Sequence, residues 1–506
     1  MRHDYIFGAN ILENLTTGMY KDSKVIFREY IQNSCDSIDK AISIGILEKG
    51  EEIIEITIEN NNRNISIEDN GTAINQFDFE RILKNIADSD KKIGQDKGFR
   101  GIGRLAGLAY CETLIFTSKA KGEIQISKMI CDAKTMRDMI EKHNNGQKYK
   151  VEEVLDKIFK FDYSEKTDDL EKHYFKVDLI NINDDNRDLL DCEKIKTYLS
   201  FVAPIVYKNT FTLKNKIYKY SQEIGTKIDE YNISLNGETL FKNYTNYITK
   251  NGNEIDRIFD IEFREFRDRN ENLICWMWFG LRSFVGALEK DNVMRGLRLR
   301  KENLQIGDEN VLQKLFKEDR GNNYFIGEVF AVSKQLIPNS QRDYFNENTE
   351  RIIFEEKLQD FFEEKLQKIY RIASDINSAN KEIKILEKLE NEYNTMEKEK
   401  RFIDSEHKRK KERDIEEAQV KAKNAKERIK KIIEKSDITT KKVIEEINKI
   451  KEEKNTTSIV PKKIKNKLEN YNVKTRNLII EIFKIIDNKT SENTAKIIKE
   501  EIEKLL

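Results

Sequence analysis

Apolar and polar side chains alternate along short stretches in the first third of the chain, a pattern typical of half-buried strands. These stretches are residues 53–58, 64–69, 114–118, 123–126 and 174–180. Apolar residues three and four positions apart predict helices over residues 22–47, 77–86 and from 104 onwards, with an added helical segment at 132–170. Such an arrangement predicts an α+β sandwich in which helices cover one face of a mixed sheet.

The middle of the chain continues with alternating runs, the clearest at residues 258–266 and 273–279. Two further runs, at 295–301 and 324–329, are separated by a helical pattern at 309–318. A strand–helix–strand order of this kind predicts a second, smaller α/β domain.

The last third has the composition of long helices, because no glycine follows Gly327 and no proline lies between Pro338 and Pro461. Apolar residues recur every seven positions, which predicts a coiled coil, and residues 418–433 predict a helix that returns antiparallel. The repeat consists of Phe362, Ile369, Ile376 and Ile383, with Leu366, Ala373 and Leu386 near the alternate positions. The predicted domains are 1–185 (α+β), 186–348 (α/β), 349–435 (all-α coiled-coil hairpin) and 436–506 (C-terminal helical segment).

Charge and cysteine content narrow the class of protein. Lys+Arg and Asp+Glu both number 91, so the net charge gives no indication of nucleic-acid binding. The five cysteines are widely scattered without metal-ligand spacing, which is typical of reduced thiols. The N-terminus lacks a signal peptide, and no stretch is long enough to span a bilayer. We therefore expect a cytoplasmic protein that does not enter a membrane.

A polar motif interrupts the first predicted helix. Glu29, Asn33 and Asp36 are spaced so that they share one helical face. Taken alone, such a triplet is commonly a solvated face. Buried without partners, these groups would be costly, so the alternative is a ligand that needs all three.

Two further motifs follow in the chain. Residues 67–71 (Ile-Glu-Asp-Asn-Gly) end a predicted strand, and residues 98–103 (Gly-Phe-Arg-Gly-Ile-Gly) are rich in glycine. Backbone N–H groups of a glycine-rich loop can wrap an anion. Together with the acidic helix face, these motifs predict a nucleotide site.

The motifs E-x-x-x-N-x-x-D, D-x-G and G-x-x-G-x-G, in this order, resemble those of the GHKL ATPase superfamily. Its members include DNA gyrase B subunits, MutL, Microrchidia proteins, sensor histidine kinases and the ninety-kilodalton heat-shock chaperones. Residues 85–92 also resemble the lid entry of the chaperone branch, and four signals over roughly eighty residues are far more specific than one glycine motif. The resemblance implies a Bergerat-type ATP-binding sandwich in residues 1–185, followed by a transducer-like domain.

The resemblance also implies roles for the site residues. Glu29 would be the general base that activates the attacking water, and Asn33 would coordinate Mg²⁺ through its amide oxygen. Asp69 would accept a hydrogen bond from the adenine amino group, and Asp36 would lie near the nucleotide. A lid at residues 88–100 would become ordered around ATP. The other cofactor-binding residues would be Gly71, Ser89, Lys97, Gly98, Arg100, Gly101, Ile102 and Gly103, with the helix from Arg104 directing its N-terminus at the phosphates.

A later segment, residues 336–343, is similar to the chaperone segment that carries an arginine for the γ-phosphate. This similarity implies that Arg342 is a second catalytic residue and that Asn339 shapes its loop; the alternative is an arginine of a surface loop. The basic run 295–301 also has two interpretations, a solvated strand face or a patch for a phosphate backbone or acidic partner.

The chain departs from the family pattern at two places. Ala73 stands where D-x-G-x-G has its second glycine, which is strained if its φ is positive. Lys172 and His173 stand nearest to the usual Gly-Thr pair, which leaves one base contact to another hydroxyl such as that of Thr117.

The implied function is that of a Mg²⁺-dependent ATPase, a stand-alone bacterial chaperone-like or Microrchidia-like protein. ATP would close a homodimer and hydrolysis would reopen it, while the coiled coil holds the dimer or recruits a protein effector. The client would be a protein or a nucleic acid, although the sequence itself has no DNA-binding motif, and a role in anti-phage defence is a further hypothesis. The alternative is a non-catalytic ATP-binding scaffold. A sensor histidine kinase is disfavoured because the ATP motifs begin near residue 1.

Overall fold

The computed structural model describes residues 7–16, 18, 22–86, 101, 103–250 and 253–456, with residues 482, 486, 498, 501 and 502 near the C-terminus. The chain divides into two compact units, residues 1–371 and 372–506. The four predicted domains are finer than this division, and their boundaries stay predictions. Among the described residues, no helix has the length and apolar character that crossing a membrane requires.

An eight-stranded mixed sheet forms the centre of the first part of unit 1. Its order is β5-β4-β3-β6-β2-β1-β7-β8, and β1–β7 is its parallel pair. The strand predicted at 123–126 is wrong, because the strand begins at Ser127. The strands are β1 (Ile54–Glu59), β2 (Asn64–Asp69), β3 (Cys111–Lys119), β4 (Ser127–Asp132), β5 (Phe159–Asp162), β6 (Tyr174–Ile182), β7 (Ile233–Leu235) and β8 (Glu238–Thr239).

Helices cover one face of this sheet, and the apolar side chains of both layers form one continuous core. The opposite face is polar and carries Glu55, Ser66, Glu68 and Lys176 along an open cavity. This separation of layers confirms the α+β prediction. The helices of this part of the chain are α1 (Asn10–Leu15), α2 (Val25–Ser43), α3 (Gln76–Lys84), α4 (Ala133–Asn144), α5 (Val151–Ile158), α6 (Cys192–Val202) and α7 (Lys214–Glu223).

A second sheet follows, with order β11-β12-β15-β13-β14, in which β13 and β15 are parallel. The predicted helix at 309–318 is wrong: the crossover between β13 and β15 contains the 3₁₀ turns Gln313–Leu315 and Asp319–Tyr324. The strands are the separate hairpin β9 (Tyr247–Lys250) and β10 (Asn253–Arg257), then β11 (Asp260–Arg267), β12 (Leu273–Leu281), β13 (Gly296–Lys301), β14 (Leu304–Ile306) and β15 (Ile326–Ala331).

The basic run on β13 fits neither of its two interpretations, because Arg298 and Arg300 are buried. Arg300 forms an ion pair with Glu328 of β15 and donates a hydrogen bond to the carbonyl of Phe201 at 2.7 Å. Lys242 Nζ lies 3.2 Å from the same carboxylate. Burial alone would raise the pKa of Glu328, but Arg300 and Lys242 beside it lower that pKa to about 2. Arg300 therefore links β13 to β15 and to the end of α6.

The C-terminal region is helical, as expected, and in unit 2 the helices α9 and α10 form an antiparallel hairpin. Ala379 and Ile383 of α9 pack with Ala422 and Ala425 of α10, small residues that permit close approach of the helices. Ion pairs such as Glu382–Arg428, at 2.8 Å, flank this seam. The helices are α8 (Thr349–Phe361), a π turn (Phe362–Leu366), α9 (Gln367–Lys398), α10 (Ser405–Lys435) and α11 (Ile438–Thr456).

Candidate active site

Helix α2 carries Glu29, Asn33 and Asp36 on the face that points away from its apolar residues. Ile31 and Ile38 are buried on the other side, which fixes the rotation of the helix against the sheet. Glu29 is only 7% exposed, while Asn33 and Asp36 are half-buried. The triplet is therefore not a solvated face.

The carboxylate of Glu29 lies beside two guanidinium groups. Its Oε1 is 3.4 Å from Nε of Arg342 and 3.5 Å from a terminal nitrogen of Arg28. All three side chains are largely buried, yet Oε1 makes no hydrogen bond within the described structure. Arg342 is thus not an arginine of an exposed loop. It lies 314 positions after Arg28 in the chain, and the fold places it beside the predicted base.

The loop that carries Arg342 is held in place by Arg28. The guanidinium of Arg28 donates hydrogen bonds to the carbonyls of Gln341, at 2.9 Å, and Arg342, at 3.4 Å. The carbonyl of Arg342 also accepts a hydrogen bond from the N–H of Gly307 at 2.9 Å. The backbone N–H of Arg342 donates to the carbonyl of Asn339 at 3.1 Å. Arg342 has a φ of 53°, a conformation that costs an L-residue roughly 1–2 kcal/mol. Strain of this kind concentrates where a side chain must be aimed.

Gly103 packs directly against Glu29. A Cβ at position 103 would lie 2.5 Å from Oε2 of Glu29, so any larger residue there would displace the carboxylate from this position. The following segment, Gly103–Ala109, is a short 3₁₀ helix rather than the longer helix expected from Arg104. Tyr30 fixes it to α2, since its hydroxyl donates to the carbonyl of Arg104 at 3.0 Å and accepts from the N–H of Gly107 at 3.0 Å.

Asp69 ends β2 in a buried pocket beside α2. Its Oδ1 accepts a hydrogen bond from the N–H of Gly71 at 3.0 Å. Burial raises the pKa of Asp69 to about 7, although hydrogen bonds from Ser34, Gly71 and Ser37 act in the opposite direction. Position 71 must be glycine, because a Cβ there would lie 2.2 Å from Oγ of Ser37. The D-x-G motif therefore fits the strand end tightly onto α2.

Ala73 has a φ of 57°, so this departure from the family pattern does strain the backbone. We expect Ala73→Gly to raise the free energy of unfolding by about 0.5–1 kcal/mol, because relief of the left-handed strain exceeds the added freedom of the unfolded chain. Urea unfolding measures this change. Ala203→Gly is the control. Ala203 has a φ of −73°, so glycine relieves no strain there and the variant should be less stable than wild type. A loss of the same size in both variants would contradict the prediction.

The second departure from the family pattern, Lys172 and His173 in place of the Gly-Thr pair, is not compensated by Thr117. In the sheet, Thr117 of β3 pairs with Lys176, and Lys176 pairs with Glu68, so Thr117 lies on the polar face, opposite to Asp69. Thr117 is therefore not placed to replace the missing base contact. His173 instead contacts the carbonyl of Gly71 at 2.7 Å through Nδ1, and so closes the edge of the Asp69 pocket.

The amide oxygen of Asn33 is a suitable ligand for a Mg²⁺ ion that also binds phosphate oxygens. Among the described residues, no group of three or more His, Cys, Asp or Glu could hold a metal, and no hydrogen bond engages the Asn33 side chain. Mg²⁺ commonly takes one or two protein oxygens and completes its shell with substrate phosphates and water. A single amide oxygen on α2 is such a donor set, with the phosphates of a bound nucleotide as the other ligands.

Part of the predicted site lies outside the described residues, namely Ser89, Lys97, Gly98, Arg100 and Ile102, with the lid segment. Gly101 is described and has a φ of 70°, which favours glycine. Sequence reasoning did not identify Arg28, Ser34 or Ser37 as part of the site. Their proximity to the motif residues on one helix was the available signal, but only the fold orients them towards Gln341 and Asp69.

Comparisons with known proteins agree with the motifs. Residues 20–162 match the family model of histidine kinase-, DNA gyrase B-, and HSP90-like ATPases. Chaperone protein HtpG of Psychrobacter arcticus is 26% identical over 133 residues, which is 23% of this chain and 20% of that protein.

Two further HtpG proteins give similar values. The protein of Helicobacter hepaticus is 25% identical over 144 residues, 25% of this chain and 23% of the relative. The protein of Rickettsia canadensis is 28% identical over 136 residues, 23% of this chain and 22% of the relative. The chain thus spans about a fifth of the length of the curated relatives that it matches. With the fold and the motifs, these matches confirm the resemblance: residues 20–162 form a domain of the GHKL type.

Proposed function

We propose that the chain hydrolyses ATP in a site formed by α2, the end of β2 and the loop that carries Arg342. The observation that carries this proposal is the buried approach of Arg342 to Glu29, at 3.4 Å. Unlike the structural pair of Arg300 and Glu328, this pair leaves Oε1 of Glu29 without a hydrogen bond in the described structure, which favours a role toward a ligand. A carboxylate base and a planar guanidinium are the two groups that attack on a γ-phosphate requires.

In this proposal, the ion pair between Glu29 and Arg342 is the resting arrangement. A γ-phosphate entering the site offers Arg342 two acceptor oxygens. The guanidinium can donate a hydrogen bond to each of them, whereas Glu29 offers it a single carboxylate oxygen. Glu29 is then released to accept a proton from water. Since Arg342 belongs to a loop after the second sheet and Glu29 to the ATP-binding sandwich, ATP binding would bias the relative position of these parts of unit 1.

Asn33 would hold Mg²⁺ through its amide oxygen, and the ion would supply neutralisation of phosphate charge when bound. Asp36 would lie near the same phosphates, half-buried one turn further along α2. The N–H groups of the 98–103 loop would contact the phosphates, with Gly103 leaving room for Glu29.

Asp69 would bind the adenine amino group, which leads to a pH dependence. Because burial raises the pKa of Asp69 to about 7, the carboxyl is largely protonated below that pH, whereas an amino donor requires the ionised form. We expect affinity for a non-hydrolysable ATP analogue to rise about tenfold from roughly pH 6 to 8, with proton release on binding. Isothermal titration in buffers of different ionisation enthalpy measures both.

Asp69→Asn is the control, because it removes the titrating group and leaves only the ionisation of the nucleotide itself. We expect the variant to bind more weakly and to lose most of the pH dependence. An affinity that varies with pH equally in both proteins would contradict the role of Asp69.

Phosphate release from ATP by the full chain tests the proposal as a whole. We expect turnover with Mg²⁺, none with excess EDTA, and none with GTP, whose ring presents a carbonyl where adenine has its amino group. Absence of turnover with all three would favour the non-catalytic scaffold.

The larger cycle is also part of this proposal. The named relatives are chaperone proteins, which supports a chaperone-like action on a protein client. We propose that two copies of the chain close when ATP binds, and that the α9–α10 hairpin holds the dimer or recruits an effector. A nucleic-acid client, a cytoplasmic location and a role in anti-phage defence stay predictions from the sequence.

A further inference from the structure

Buried polar atoms without hydrogen-bond partners are concentrated in the first turns of α2. In α2 they are Nε of Arg28, Oε1 of Glu29, and both Oε1 and Nε2 of Gln32, four of the eleven such atoms among the described residues. Folded proteins leave few buried polar groups unsatisfied, and a cluster of them often marks a catalytic or ligand-binding role. Four such atoms within two turns indicate a small polar site that has its partners in another state of the protein.

Gln32 is the residue whose burial is hardest to explain otherwise. Its side chain is 1% exposed and neither end of its amide is satisfied, although a leucine would fill the same position without an unpaired polar group. Gln32 lies three positions after Glu29 on α2, and residues at this spacing are neighbours on one helical face, with Cβ atoms about 5–6 Å apart. This spacing places Gln32 next to the predicted general base along α2.

The carboxylate of Glu29 leaves one oxygen for this small polar site. Oε2 packs against the backbone at Gly103, whereas Oε1 has only the ionic approach of Arg342 and Arg28. When Arg342 turns to a phosphate, Oε1 becomes available as an acceptor. A water molecule between Oε1 of Glu29 and the amide of Gln32 would then have two protein partners.

The reaction needs such a pair of acceptors. Water attacks phosphorus through a lone pair, so both of its hydrogens must point away from the γ-phosphate. Glu29 can accept one hydrogen, and Oε1 of Gln32 can accept the other, while Nε2 of Gln32 donates to a phosphate oxygen. A glutamine amide has this combination of acceptor and donor in one plane.

We propose that Gln32 is a catalytic residue that orients the attacking water together with Glu29. This inference depends on the proposed ATPase function. The water oxygen bonds to the γ-phosphorus, the bond to the β–γ bridging oxygen breaks, and ADP leaves with that oxygen. One water proton passes to Glu29 and then to solvent, while the amide of Gln32 exchanges no proton and orients the nucleophile.

Comparison of Gln32→Leu with wild type in steady-state phosphate release tests this role. We expect kcat to fall 10- to 100-fold while KM and the affinity for a non-hydrolysable ATP analogue change less than twofold. Binding of ADP with aluminium fluoride, which mimics the transferring phosphoryl group, should weaken in parallel with kcat. Thermal stability should stay equal or rise, because an unsatisfied amide is removed.

Gln367→Leu is the matched control. Gln367 is also a buried glutamine with an unpartnered Nε2, but it lies in α9 outside the candidate active site, so its kcat should equal that of wild type. Gln32→Met, which keeps the length of the side chain, gives the same comparison if leucine lowers stability. A Gln32→Leu enzyme as fast as wild type, or an equal loss in Gln367→Leu, would overturn this inference alone. A wild type without turnover would overturn the proposed function as well.

Discussion

Replacing Glu29 with glutamine should reduce ATP turnover by about 10²–10⁴-fold while ATP still binds. Glutamine keeps the shape of the side chain against Gly103 but cannot take a proton from the attacking water. It also removes the charge that lies 3.4 Å from Arg342 and 3.5 Å from Arg28, and so removes the carboxylate that competes with phosphate for Arg342. We therefore expect the variant to bind an ATP analogue as tightly as wild type, or more tightly.

Single-turnover hydrolysis and analogue binding separate these two effects. Glu141→Gln is the matched control, since Glu141 is exposed on α4 and should retain full activity. Hydrolysis by Glu29→Gln at the wild-type rate would exclude Glu29 as the general base. A loss of binding as large as the loss of rate would instead indicate that Glu29 supports the fold of the site.

Replacing Arg342 with alanine should slow hydrolysis by about 10³-fold, which corresponds to roughly 4 kcal/mol of transition-state stabilisation. The charge that develops on the transferring phosphoryl group loses its guanidinium, and Glu29 keeps only Arg28 beside it. Arg342→Lys should restore little of this rate, because an ammonium group cannot form the paired hydrogen bonds of the guanidinium.

The expected effect is on kcat rather than on the affinity for the ATP analogue, because most of the proposed binding contacts belong to the α2 and β2 part of the site. Arg269→Ala serves as the control, since Arg269 is exposed in the turn after β11. Equal rates for Arg342→Ala and Arg269→Ala would show that the approach of Arg342 to Glu29 has no catalytic role.

The family and the layered α+β architecture could be predicted from the sequence because both depend on local patterns. Alternation marked β1 and β2 to within a residue, and the motif spacing placed Glu29, Asn33 and Asp36 on one helix face. Such patterns extend over a few residues, so neighbouring positions contain the whole signal.

Features that depend on distant contacts could not be predicted in this way. Arg300 follows a strand pattern that equally suits solvent, and the carboxylate that pairs with it in the interior, Glu328, belongs to another strand. The strain at Ala73 required a backbone angle, which the residue type alone does not determine. Arg342 could be assigned to the site only through a resemblance, because no local pattern indicates which loop returns to α2.

A double-mutant cycle of Glu29→Gln and Arg342→Ala tests most directly whether these two residues form one catalytic site. Single-turnover hydrolysis would be measured for wild type, both single variants and the double variant. Because both side chains act on the same transition state, we expect the double variant to be about as slow as the slower single variant. A double variant slowed by the product of the two single losses would contradict a shared site.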